Sequence, residues 1–381
     1  MIVLLLGFAF AMTPNEAVRA ATANDPALAG AEAELLGAQG ARRSASWLRA
    51  NPELEIAADV GGERIGASLT QELSLSGEGI ADARSGRYAV DAAEAGLARA
   101  QLVTAAEARR AWARLAAAEG VVRASEAERT SASAVRVATE ARRGAGEASD
   151  LELELTRLEE ARAVAGWLEA TAVRIDAQAA LAAITGDAAA SAEGDPLSAA
   201  PPPGSPGKRS DVVAAEARVE SARAALARER AAVVPALGLG AFVETEGDRT
   251  LAGPAVRIEV PIWQQNAAGR GAAKGELAVV EAEAGATRAR AAAEQKATEA
   301  HLARLGEAGA GLSPGVEASA ATASRAIDAG VATGQIGVID AALLRARVHE
   351  GHRGWYAARL AEAEARIDAA LAVEDAALFA D

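Results

Sequence analysis

The chain has 381 residues, of which 51% are hydrophobic but only 3% aromatic, so Ala carries most of the apolar share. Such a composition does not fill a conventional globular core; it suits long helices that approach closely at small residues. A formal charge of -14 excludes a nonspecific electrostatic grip on nucleic acid, and a chain without Cys has no disulfides, thiolate metal sites or thiol nucleophiles.

In chain order, Ile2 to Ala11 is an apolar run ending Ala9-Phe10-Ala11, and residues 1–11 read as a signal peptide with an A-x-A cleavage site. As a helix this run would be about 15 Å long, half the thickness of a bilayer core. No other stretch approaches about 18 apolar residues, so entry into a membrane would have to use strands. A helix is expected from about Asn15 to Trp47, ending before Pro52. Two strands with period-two alternation follow, through Leu54, Ile56, Ala58 and Val60 and then Leu69, Gln71, Leu73 and Leu75. From about Ala81 to Arg143 nothing interrupts a helix, roughly 95 Å at about 1.5 Å per residue. After a turn at Gly144 to Ser149 the chain returns through Leu151, Leu155, Leu158, Trp167 and Ile175, spaced as one face packing along a neighbouring helix.

Residues 192–210 are dense in Pro and Gly and read as a linker. Beyond them the order repeats. A helix from Asp211 to Val233 precedes strands through Leu237, Leu239, Ala241 and Val243 and through Val256, Ile258, Val260 and Ile262, with Arg257 and Glu259 between the apolar positions. A long helix follows, interrupted at Ser313-Pro314-Gly315; it resumes at Val316, turns at Gly334 and returns through Leu343, Val348, Trp355 and Leu371. Matching pieces recur in the same order at a period of about 187 residues: A-E-A-E-L at 31 with A-E-A-R-V at 215, Q-E-L-S-L at 71 with I-E-V-P-I at 258, and G-A-G-E-A-S-D at 144 with G-Q-I-G-V-I-D at 334. The expected organisation is a tandem duplication, 12–191 and 211–381, each half a helix, a strand pair and a long helical hairpin.

Four amphipathic strands of eight to ten residues have the span of transmembrane strands but cannot close a barrel, and open edges in lipid leave backbone groups unpaired. Several chains must therefore share one barrel; three would supply about twelve strands, enough for an open lumen. Strict alternation puts Leu69, Leu73, Val256, Ile258, Val260 and Ile262 on the lipid face.

The order of elements, with P-N-E-A-V-R-A-A-T-A-N-D-P-A-L from Pro14, N-P-E-L at Asn51, Q-E-L-S-L at Gln71, V-P-I-W at Val260 and two turns with Gly followed by Asp six residues on, resembles the TolC-like outer-membrane efflux proteins, especially the heavy-metal and drug branch. The resemblance implies a mainly α fold with a small β part, in which tandem helical hairpins form an α-helical tunnel below a trimeric, twelve-stranded transmembrane β-barrel. It implies a passive exit duct of a tripartite efflux or type I export system, in the outer membrane of a Gram-negative bacterium with a periplasmic tunnel. The implied partners are two further copies, a periplasmic adaptor, an inner-membrane transporter and outer-membrane lipid. Carried over, Gly144, Asp150, Gly334 and Asp340 mark the tunnel tip, its gate and the adaptor contact. Asp150 is expected to cap its helix, and for Asp340 a cap stands beside a carboxylate ring at a constriction. The chain departs from the family in its short length, its lack of a lipid-acceptor Cys and the Ser313-Pro314 break. A periplasmic coiled-coil adaptor or scaffold is the alternative, although an adaptor would carry lipoyl-like halves around one hairpin.

Neither a catalytic constellation nor a cofactor motif is found, so no enzymatic activity, cofactor or metal is expected. His349 and His352 sit at helical spacing with Glu350 beside them, but no third ligand is identified and a solvated helix face is the expected setting.

Overall fold

A computed structural model describes residues 11–44, 51–58, 64–73, 76–201, 208–234, 236–258, 265–309 and 315–379. The apolar run up to Phe10, Trp47, Val60, Leu75, Glu259, Val260, Ile262, the middle of the linker at 202–207 and the Ser313-Pro314 break lie outside the described residues.

The chain is mainly helical. Helix α1 (Pro14–Asn24) starts on a capping box: Thr13 Oγ1 accepts from the Glu16 amide at 3.2 Å while Glu16 accepts from the Thr13 amide at 2.8 Å, and Pro14 supplies a pre-set first turn. The single helix expected from Asn15 is divided. Asp25 is extended and Pro26 lacks an amide to donate, so α2 (Pro26–Ser44) begins anew. Strands β1 (Glu53–Ala58) and β2 (Arg64–Leu73) precede α3 (Glu78–Gly144), 67 residues and about 100 Å long. Helix α4 (Asp150–Thr185) ends at Gly186, whose φ of +76° is the left-handed conformation that glycine adopts freely. After a short 3-10 turn at Pro196–Ala199 come α5 (Ser210–Ala231), β3 (Leu237–Glu246), β4 (Arg249–Ile258), α6 (Ala267–Gly309), α7 (Val316–Ala332) and α8 (Val338–Ala372). No helix among the described residues is long and apolar enough to cross a membrane.

Two compact units are distinguished. The first comprises Met1–Pro26, Gln101–Gly207 and Ala293–Asp381. Its core is built on α3 with Trp112 and Leu115, packed against Leu181 of α4, Ile367 of α8, Leu378 and many alanines. Small residues let these helices approach closely: at Gly120 of α3 a Cβ would stand 2.2 Å from the Tyr356 ring of α8, so that ring fills the space of the missing side chain. Arg109 is buried among the alanines and donates to Leu378 O at 2.8 Å, Ala199 O at 3.0 Å and Asn15 Oδ1 at 2.6 Å. One guanidinium thus ties the first helix, the linker and the C-terminal segment to α3.

The second unit comprises Ala27–Ala100 and Lys208–Ala292. Its four strands form one antiparallel sheet in the order β1-β2-β3-β4, and β3 and β4 join through a two-residue turn with Gly247 at φ +57°. Its helical segments stand side by side: α2 touches α3 where Arg42 approaches Gly86, α3 touches α5 through Ser85 and Ser221 at 3.1 Å, and α5 meets α6 through Arg223 and Glu281 at 2.9 Å.

Candidate functional site

Residues opposite one another in an antiparallel sheet share a face. Register pairs Leu54 with Leu69 and Leu69 with Ala241, and Leu239 with Val256, so Leu54, Ile56, Ile65, Leu69, Leu73, Leu237, Leu239, Val243, Val256 and Ile258 lie on one face. Among the described residues no charged side chain shares that face. Leu69, Val256 and Ile258 are 53%, 64% and 59% exposed, an unusual setting for large apolar groups in a chain standing alone in water. The opposite face carries Glu53, Glu55, Arg64, Glu72, Glu244, Glu246, Arg249 and Arg257 among small residues, with two large apolar side chains, Phe242 and Leu251, beside them. Two of these arginines each meet two carboxylates: Arg64 lies 3.1 Å from Glu244 and 2.9 Å from Glu246, and Arg257 lies 3.2 Å from Glu53 and 3.4 Å from Glu55.

The two hairpin turns differ from each other and from expectation. Between α3 and α4 the left-handed residue is Gly146, with φ +79°, whereas Gly144 closes α3. Asp150 does not cap α4. Ser149 does, accepting from the Glu152 amide at 3.2 Å while Glu152 accepts from the Ser149 amide at 2.7 Å, which leaves the Asp150 carboxylate to pair with Arg143. The competition is settled by position, because a side chain one residue inside the helix points away from the free amides that the residue before it reaches. Between α7 and α8, Gly334 takes φ +70°. The N-cap of α8 is Gly337, which has no side chain to offer, and Asp340 stands exposed in the first turn, where a carboxylate complements the helix dipole.

The first unit contains a groove of about 1380 Å³ bounded by α3, α7 and α8, with Arg123, Asp328, Arg345 and His349 among its walls. Arg345 pairs with Asp328 across α7 and α8, and Tyr356 donates its hydroxyl proton to Glu317 at the start of α7. The expectation that His349 and His352 face solvent is corrected: His349 is buried and His352 half-buried, because α3 and α7 cover this side of α8. Burial, helped by the cations of Arg353, His352 and Arg345, lowers the His349 pKa to about 4. Burial also lowers that of His352, opposed by Glu317, while burial and the bond to Glu317 push the Tyr356 hydroxyl up to about 12. Among the described residues no group of three or more His, Cys, Asp or Glu side chains could hold a metal.

Sequence reading missed Arg109. Its signal was present as an arginine on a face otherwise made of Leu102, Ala105, Trp112 and Ala116, a charge at a core position that must find partners.

No family model and no curated protein matches the sequence. Solved structures do. The fold is similar to that of CusC, described for its folding and transmembrane channel formation (15% identity, 95% of this chain and 92% of that one, TM-score 0.76), to the outer membrane protein VceC of Vibrio cholerae (18%, 94% and 95%, 0.70) and to the CmeC outer membrane channel of Campylobacter jejuni (16%, 94% and 85%, 0.73). At such identities the likeness establishes the fold, the one expected from the TolC-like resemblance.

Proposed function

We propose that the chain is the outer-membrane exit duct of a tripartite efflux or type I export system: a passive, homotrimeric channel that receives a periplasmic adaptor and an inner-membrane pump, and does no chemistry. The observation that carries this reading is the open four-stranded sheet, which among the described residues has one uncharged, exposed apolar face and one charged face. Strands β2, β3 and β4 are each 10 residues long, the length of a tilted membrane strand, and their alternation matches a wall between lipid and water. With β1 and β4 at the sheet's edges, closure requires strands from other copies, and three copies give about twelve strands and a water-filled lumen.

On this reading Leu69, Leu73, Val256 and Ile258 face lipid, and the channel sits in the outer membrane of a Gram-negative bacterium after removal of residues 1–11. The two halves, 12–191 and 211–381, are repeats joined by the linker 192–210. Gly144, Asp150, Gly334 and Asp340 mark the periplasmic tip and the adaptor contact, and three Asp340 carboxylates form a ring there, which the missing side-chain cap at Gly337 leaves free for that role. The described neighbours are themselves named outer membrane proteins and channels, which supports the duct over the adaptor alternative. Solution mass tests it. Detergent-extracted protein from the outer-membrane fraction should have the mass of three protomers, and a monomer in the soluble periplasmic fraction would overturn the reading.

A further inference from the structure

The charged face of the sheet is crossed from edge to edge by one side chain. Arg257 belongs to β4 and its two carboxylate partners, Glu53 and Glu55, belong to β1, with β2 and β3 lying between them. Strand β3 leaves room for this crossing, while β2 carries Thr70 and Glu72 on the same face. On β3 the two positions nearest the path are Gly238 and Gly240; a Cβ at Gly238 would stand 3.1 Å from the Cβ of Arg257, and one at Gly240 would stand 2.2 Å from Leu69 O. All three charged groups are well exposed, with side-chain exposures of 58%, 67% and 59%, and exposed ion pairs contribute little to stability. The arrangement therefore asks for another purpose than holding the sheet together. Charge supplies it: among the described residues this face presents five carboxylates (Glu53, Glu55, Glu72, Glu244 and Glu246) against three arginines, and Arg257 covers two of the five.

We propose that Arg257 is a specificity-determining residue of the lumen, a cationic strap whose pairing with Glu53 and Glu55 sets how strongly the barrel prefers cationic over anionic solutes. The inference rests on the channel reading above, which makes this face the water-filled one. In that setting each protomer contributes one strap, and three straps at one level control the local field through which every solute passes. Removing Arg257 frees two carboxylates per protomer; removing the carboxylates frees one guanidinium. The two changes must act in opposite directions. Screening also makes a distinct demand, since the Debye length falls from about 10 Å in 0.1 M salt to about 3 Å in 1 M, so the effect must shrink as salt rises.

The test is planar-bilayer recording of purified full-length trimer under a salt gradient, with reversal potentials read for the wild type, Arg257→Gln and the double variant Glu53→Gln/Glu55→Gln. Arg257→Gln should raise the cation-to-anion permeability ratio about twofold or more in 0.1 M salt, the double variant should lower it by a comparable factor, and both shifts should collapse near 1 M salt. Wild-type and variant channels that conduct with the same ratio overturn the strap while leaving the exit duct intact; a wild type that forms no pores overturns the duct and the strap together. If Arg257→Gln does not assemble, the double variant decides, because an unchanged or increased ratio in it is equally fatal to the proposal.

Discussion

Replacing Arg109 with Met keeps an unbranched apolar stem but leaves Leu378 O, Ala199 O and Asn15 Oδ1 without their donor inside the core. An unsatisfied buried acceptor costs about 1–3 kcal/mol, so with partial relaxation the variant should lose about 2–4 kcal/mol, read as a lower denaturant midpoint. His349 gives a pH signature. Its pKa is about 4 in the folded chain against an ordinary 6.5, so between these values the unfolded chain binds a proton that the folded one refuses. The stabilisation is complete above about pH 6.5 and is lost as pH falls towards 4, about 3 kcal/mol in all at roughly 1.4 kcal/mol per pH unit. Chemical denaturation at pH 7.5 and pH 4.5 should therefore show a loss that His349→Leu diminishes; an identical loss in the variant would assign the acid sensitivity to other groups.

At the scale of the element, the alternation of β2 and β4 makes a directional prediction. Ile258 stands on the uncharged face at the end of β4, and Leu69 on the same face in the middle of β2; Leu69→Arg should cost about 2–4 kcal/mol near mid-bilayer and reduce heat-resistant trimer, whereas a charge exchanged on the opposite face, as in Arg249→Lys, should leave it unchanged. The two turns invite a paired comparison. Asp340→Asn removes a carboxylate whose helix begins on an uncapping glycine, and should weaken cation selectivity in planar-bilayer recordings without changing trimer stability. Asp150→Asn should change little, because Ser149 already caps α4 and the lost partner is one exposed ion pair with Arg143. Equal selectivity of Asp340→Asn and the wild type would remove the carboxylate ring.

At the scale of the whole molecule, exposed apolar positions recur at alternating spacings of three and four on helices that, among the described residues, have no partner on that side. On α4 they are Leu158, Ala161, Ala165, Leu168, Ala172, Ile175 and Ala179; on α6, Ala272, Gly275, Val279, Ala282, Ala286 and Ala289. This is the spacing of a coiled-coil seam, and the seam on α6 is made of small residues that admit a close neighbour. A homotrimer would cover both. Ala282→Glu should leave protomer helicity by circular dichroism near the wild-type value and shift detergent-solubilised mass towards the monomer; a trimer of unchanged heat resistance would show that this face of α6 is not an interface.

Much of this was legible in the sequence because it depends on local period. Alternation at Leu54, Leu69, Leu239, Val256 and Ile258 fixes which side chains share a face whatever the sheet later packs against, and an Ala-rich stretch without Pro, from 81 to 143, has no local means of ending a helix. Even the break at Pro26 was written locally, in a ring that cannot donate a hydrogen bond. Tertiary structure decided the rest. His349 looks like a surface residue on a helix of mixed composition and becomes buried only because α3 and α7 cover it, while the charge of Arg109 on an apolar face finds its partners only where the first helix, the linker and the C-terminal segment meet α3. The strap from Arg257 to Glu53 and Glu55 joins residues some 200 positions apart and passes two glycines on β3, one of the two strands between. Period is a property of neighbours along the chain, whereas burial and long-range pairing depend on which elements meet, and in an Ala-rich sequence many helix faces are similar enough that only the assembled fold selects among them.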